Sequence, residues 1–91
     1  MTNRPPSYQV FVEPAAERKL ARLPRDICAR LLRRIESLAE TPRAPGAVKL
    51  TGHSSYRVGV GDYRIIYAIL DDRLLIIVVD VGHRREIYRD L

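Results

Sequence analysis

An α+β fold built on an antiparallel sheet is predicted by three features of the chain. Apolar residues recur at helical spacing in the first half, three strand-like runs rich in β-branched residues fill the second, and a two-residue Gly-Asp turn joins the first two runs. The 91 residues make a small single domain, because a chain this short buries only about 60 to 65% of its unfolded surface and cannot divide into two cores. Positions 1–7, which hold Pro5 and Pro6, read as a flexible N-terminal head, and 8–91 as the domain.

The first element is a strand over Tyr8 to Val12, where Tyr8, Val10 and Val12 alternate with Gln9 and Phe11. Glu13-Pro14 opens a short helix, with proline tolerated in the first turn, and Ala16, Leu20 and Leu23 line one face before Pro24 stops it. A second helix follows. At 100° per residue, Ile27, Cys28, Leu31, Leu32, Ile35, Leu38 and Ala39 fall within an arc of about 140°. Arg25, Asp26, Arg30, Arg33, Arg34, Glu36 and Glu40 take the other side. Cys28 reads as a core residue at the edge of that stripe, and Arg30, Arg33 and Arg34 as a solvated helix face laced with Glu36 and Glu40, the alternative being an RNA-facing patch.

Thr41-Pro42 ends the helix, and 43–55 is a connector without periodicity. Tyr56 to Val60 and Tyr63 to Leu70 are strands joined by Gly61-Asp62, and Asp71-Asp72 leads to a third strand, Arg73 to Val81. The last two strands are apolar on both faces, as suits central strands. Gly82 then ends the sheet, and His83 to Arg89 reads as a short terminal helix.

The charge balance narrows the partners. Sixteen basic residues against eleven acidic give +5, and fourteen of the sixteen are arginine. Arginine binds phosphate through a planar fork, so the bias suits a polyanionic partner; a genome that replaces lysine with arginine accounts for it equally well. One cysteine excludes an intrachain disulfide, and the opening residues hold no signal-peptide stretch, so the expected compartment is the cytoplasm. The longest aliphatic run, Leu74 to Val79, is far below the roughly 20 residues of a membrane span.

Strand parity brings particular arginines together. If Gly61-Asp62 closes the hairpin, Val60 pairs with Tyr63, Gly59 with Arg64 and Arg57 with Ile66, so Arg57, Gly59 and Arg64 share a face. Diagonal neighbours such as Arg57 and Arg64 have Cβ atoms about 7 to 8 Å apart, a span one phosphate bridges. If Asp71-Asp72 also closes in two residues, Arg64 pairs with Val79. Arg84 and Tyr88 are i, i+4 neighbours in the terminal helix. The alternative is that each arginine is merely solvated or paired with Asp62, Asp80 or Glu86. No metal site is expected from His53 and His83, which lack further ligands at zinc spacing, and no cofactor motif or nucleophile elbow is present.

The runs Lys49-Leu50-Thr51-Gly52, Tyr56-Arg57-Val58-Gly59-Val60-Gly61-Asp62-Tyr63-Arg64-Ile65-Ile66-Tyr67 and Val81-Gly82-His83-Arg84-Arg85-Glu86-Ile87-Tyr88-Arg89 closely resemble the RelE/ParE superfamily of type II toxin–antitoxin toxins, in its RelE branch. The element order agrees from Tyr8 onward. The resemblance implies a metal-independent endoribonuclease that cuts mRNA in the ribosomal A site with the RNA's own 2′-hydroxyl as nucleophile. Carried over by position, it implies catalytic roles for Arg57, Arg64, Arg84 and Tyr88, and RNA contacts for Lys49, His83 and Arg85. This chain has Gly59 where many relatives carry a second basic residue, and its C-terminal motif is shorter than in the best-known member.

The implied partners are a cognate antitoxin, the ribosome and mRNA, with operator DNA bound only through the antitoxin complex. Two other readings are an inhibitor of DNA gyrase, the activity of the ParE branch, and a nucleic-acid-binding module without activity.

Overall fold

A computed structural model of the protein describes residues 7–50 and 54–87. Its elements run β1 (Gln9–Val12), α1 (Pro14–Ala21), α2 (Arg25–Ser37), β2 (Val48–Lys49), β3 (Ser55–Val60), β4 (Tyr63–Leu70), β5 (Leu75–His83) and α3 (Arg84–Ile87). Pro14 occupies the first turn of α1, where its missing N–H costs no hydrogen bond. From the head, Ser7 is described, and its hydroxyl donates to Glu40 at 2.8 Å. Among the described residues, no helix is long and apolar enough to cross a membrane.

One face of the sheet is covered by the two longer helices. Ala16 and Leu20 of α1, Leu31 and Ile35 of α2, and Leu38 just after it pack on Val58, Ile65, Tyr67, Ile76, Val78 and Val81. Cys28 lies partly buried at the margin of this core, and Leu32, at the limit of the apolar arc, is 41% exposed. The stripe is therefore narrower than its sequence arc.

The strands are ordered β1-β5-β4-β3-β2. The meander is antiparallel as expected, but β1 joins β5 in parallel, Gln9 opposite Leu75 and Val12 opposite Val78, so the sheet is mixed. Alternation identifies a strand and says nothing of its partner's direction; a helical crossover frees β1 to pair either way. The connector also holds an unforeseen strand, β2, which pairs only Val48 with Arg57 and Lys49 with Tyr56. Two residues are too few to show a period.

The β4–β5 connection departs from the two-residue turn. Asp71–Arg73 form a 3₁₀ turn followed by Leu74 at φ +49°, so Leu70 faces Leu75. An irregularity between Ile66 and Tyr67 moves the register one residue further, and Arg64 pairs with Gly82 instead of Val79. Gly82 thus lies inside the sheet, and α3 begins at Arg84.

A polar network closes the end of the sheet near that turn. Asp71 accepts from the Tyr8 hydroxyl at 2.6 Å and from both terminal nitrogens of Arg43 at 3.2 and 2.8 Å. Arg43 Nε donates to the Tyr56 hydroxyl at 3.1 Å, Tyr56 stacks on Tyr67, and the Tyr67 hydroxyl donates to the carbonyl of Pro42 at 2.7 Å. The connector is thereby tied to the core. Hydrogen bonds from Arg43 and then Tyr8 hold the Asp71 carboxyl down at about 2, and the Asp71 carboxylate pushes the Tyr8 phenol up.

A carboxyl whose pKa is lowered on folding adds stability above its unfolded value, near 3.8, and loses it as pH falls through about 2. Asp71→Asn should therefore destabilise the protein at pH 7, and its deficit against the parent should shrink steadily from pH 4 to pH 2 in urea titrations. A deficit independent of pH would refute the ion pair's contribution. Leu31→Ala, at a fully buried core position, should cost about 2 to 5 kcal/mol in the same titrations.

Candidate functional site

The Gly61-Asp62 loop organises the opposite end of the sheet. Gly61 has φ +59° and Asp62 has none of the positive φ that a type I′ turn would need, which matches a II′ hairpin with glycine first. The resulting register is the one read from sequence: Val60 opposite Tyr63, Gly59 opposite Arg64, Val58 opposite Ile65 and Arg57 opposite Ile66. Val58 and Ile65 face α1 and α2, so Arg57, Gly59 and Arg64 lie on the opposite face, which also carries the buried Ile66; Gly59, Arg64 and Gly82 form one row across the strands.

Arg64 does not stand away from that face. Its Nη1 donates to the carbonyls of Gly61 and Tyr63, each at 2.9 Å, folding the guanidinium back across the hairpin. A Cβ on Gly59 would sit 2.8 Å from the same nitrogen. Arg64 thus occupies the space that a side chain at position 59 would need, and glycine there is a steric requirement of this arrangement.

Arg84 is held by the same loop. Its backbone N–H donates to the Asp62 carbonyl at 2.8 Å, and its Nε lies 3.8 Å from the Asp62 carboxylate. The ion pair is exposed and contributes little stability, so its effect is to direct the Arg84 side chain. Arg57, half-buried on β3 opposite Ile66, lies diagonal to Arg64 on the same face. Asp80 is taken up by Lys19, 2.6 Å away.

Parity separates the remaining candidates from this group. His83 pairs with Tyr63, whose ring it meets edge-on, and both line a cavity with Lys19 and Leu23 on the helical side of the sheet. His83 Nδ1 accepts the Arg85 backbone N–H at 3.2 Å, so the neutral ring carries its proton on Nε2. Lys49 pairs with Tyr56, also on the helical side, and is exposed on the edge strand. Arg85 is exposed at the start of α3. Tyr88 lies outside the described residues. Among those described, no cluster of three His, Cys, Asp or Glu side chains could hold a metal ion.

One neighbour was not singled out by the sequence. Arg30 of α2 reaches the hairpin, its Nη2 3.5 Å from where a Cβ on Gly61 would lie. Helical periodicity had placed it on the solvated face, and only the packing angle of α2 on β3 brings it to the loop.

Gly59→Ala should leave the fold intact, since the atom it meets is the mobile tip of Arg64. It should cost no more than about 1.5 kcal/mol by thermal unfolding while displacing the Arg64 guanidinium in a crystal structure of the variant. An unmoved Arg64 would remove the steric argument.

Similarity to known proteins agrees with this geometry. The family model of the ParE toxin of type II toxin-antitoxin systems, parDE, matches residues 10–88. A search of curated protein sequences returns no match. Among solved structures, the chain is similar to the archaeal RelE–RelB complex from Pyrococcus horikoshii, with 26% identity, a TM-score of 0.78, and coverage of 88% of this chain and 98% of that one. It is also similar to the RelBE2 toxin–antitoxin complex of Mycobacterium tuberculosis, at 25% identity and TM-score 0.74, with 86% and 99% covered. The RelB–RelE complex of Methanococcus jannaschii matches at 27% identity and TM-score 0.68, with 89% and 98% covered. The family match spans nearly the whole domain and the structural likeness extends over nearly the whole of each relative: the chain belongs to the RelE/ParE superfamily, as a toxin of a type II toxin–antitoxin module with a RelE-like fold.

Proposed function

We propose that this toxin is a ribosome-dependent mRNA endoribonuclease of the RelE kind. The observation that carries the reading is the row Gly59, Arg64, Gly82: an arginine flanked on both neighbouring strands by residues without side chains, with Arg57 diagonal to it and Arg84 tethered at the same turn. With no side chain on either neighbour, a phosphodiester can approach such a guanidinium closely.

In the proposed reaction the RNA 2′-oxygen attacks the adjacent phosphorus, losing its proton as the new P–O bond forms. The P–O5′ bond breaks, the 5′-oxygen takes up a proton, and a 2′,3′-cyclic phosphate remains. Arg64 and Arg57 stabilise the added negative charge on the non-bridging oxygens, where a well-aimed donor contributes about 3 to 4 kcal/mol. Arg84 hydrogen-bonds the departing 5′-oxygen. Arginine keeps its proton, so the transfers fall to Tyr88 and water. His83, Lys49 and Arg85 contact the RNA beyond the scissile step.

A cognate antitoxin is the expected protein partner, by analogy with the three relatives, each solved as a toxin–antitoxin complex. The complex, and not the toxin alone, would bind operator DNA, and the ribosome would present the mRNA. The second reading, inhibition of DNA gyrase, is favoured by one observation: the family model that matches is that of ParE toxins.

The purified toxin should cleave mRNA on translating ribosomes, and Arg64→Ala should slow cleavage by about 10²- to 10³-fold with an unchanged circular dichroism spectrum. Full activity of that variant would overturn the proposed chemistry. Intact mRNA together with blocked supercoiling by purified gyrase would assign the second reading, and a harmless protein that binds RNA would be a module without activity.

A further inference from the structure

The helix arginines and the hairpin enclose a feature that the proposed chemistry does not use. An open groove of about 490 Å³ runs between α2 and the free edge of β3, lined by Arg30, Arg33, Arg34 and Ser37 on one side and by Gly59 to Gly61 on the other. Because β2 pairs only with Tyr56 and Arg57, β3 has no strand neighbour beyond that point among the described residues. With Val60 and Tyr63 closing the hairpin, ladder alternation turns the Gly59 N–H away from β4 and toward this edge.

We propose that this groove is a second phosphate site for RNA, which holds the strand on one side of the phosphate engaged by Arg57 and Arg64. The inference rests on the RNA-binding reading above and extends it to residues outside the reacting centre. Three observations support it. Among the described residues the lining contains no acidic side chain, and Arg30 and Arg34 form a like-charge i, i+4 pair whose mild repulsion an anion between them would relieve.

Among the described residues neither Arg30 nor Arg33 has a hydrogen bond or ion pair, whereas Arg34 is steadied by donation to the Pro45 carbonyl at 3.1 Å. Gly59 belongs both to the groove and to the row beneath Arg64, so the two sites share a border. Among the described residues, the only aliphatic one in the lining is Val60. A peptide partner would find no apolar pocket to anchor it, while a chain of phosphates needs only donors and space.

The test compares the parent with Arg30→Gln/Arg33→Gln and with Arg18→Gln, which removes a charge from α1 outside the groove. Binding of a fluorescein-labelled single-stranded 2′-O-methyl RNA, which cannot be cleaved, is measured from 50 to 300 mM KCl, with melting temperatures to check folding. The double variant should bind more weakly, and its slope of log K against log salt should fall by about 1.4, near 0.7 for each phosphate of a single strand that is no longer neutralised. Arg18→Gln should match the parent, and Arg30→Lys/Arg33→Lys should restore the slope.

On translating ribosomes the double variant should raise KM and leave kcat unchanged. Equal slopes for the double variant and the parent would overturn the proposal, as would normal RNA binding with reduced affinity for the antitoxin. If the parent binds RNA with a slope that the double variant lowers as expected but does not cleave it, the nuclease reading falls while the groove stands. If the parent cleaves and the double variant does so with an unchanged KM, the groove falls alone.

Discussion

Nearly everything functional in this toxin depends on a two-residue turn. With only Gly61 and Asp62 between β3 and β4, and Gly61 at a φ that side chains rarely adopt, the pairing of the two strands has one register. A slip of one residue would carry Arg57 and Arg64 into the core and bring Val58 and Ile65 to the surface. The burial of those two aliphatics therefore also determines which face carries the arginines. The loop's own backbone then does further service: its carbonyls hold the Arg64 guanidinium and the Arg84 backbone, and its carboxylate directs the Arg84 side chain.

Glycine matters here for what it leaves vacant. Position 59 lacks the second basic residue that the family resemblance leads one to expect, and the absence first reads as a weaker site. The geometry changes that meaning, because Arg64 lies over Gly59 and fills the vacancy with its own charge. The edge of β3 beside that row faces further arginines on α2.

The two ends of the sheet divide the labour. At one end, Tyr8, Asp71, Arg43, Tyr56 and Tyr67 satisfy one another and fasten the connector to the core, so their charges are compensated internally. At the other, the arginines bond mostly to backbone carbonyls or to an exposed carboxylate. Backbone carbonyls orient a guanidinium without cancelling its charge, as at Arg64 and Arg34. Both ends are polar and charged, and only the identity of the partners distinguishes a structural network from a binding surface.

Periodicity, turn chemistry and strand parity were enough to read the helices, the meander, the hairpin register and the shared face of Arg57 and Arg64, because each depends on residues close in sequence. The parallel attachment of β1, the two-residue β2, the longer β4–β5 turn and the bulge that puts Gly82 opposite Arg64 were not legible there. They arise from competition among edges, crossovers and side-chain networks that join residues dozens of positions apart. For the same reason His83 and Lys49, adjacent in motif to the site arginines, project to the other side of the sheet, and Arg30, far from any motif, reaches the hairpin. Local sequence specifies which residues share an element and a face; only packing decides which elements meet, and therefore which arginines a phosphate would encounter together.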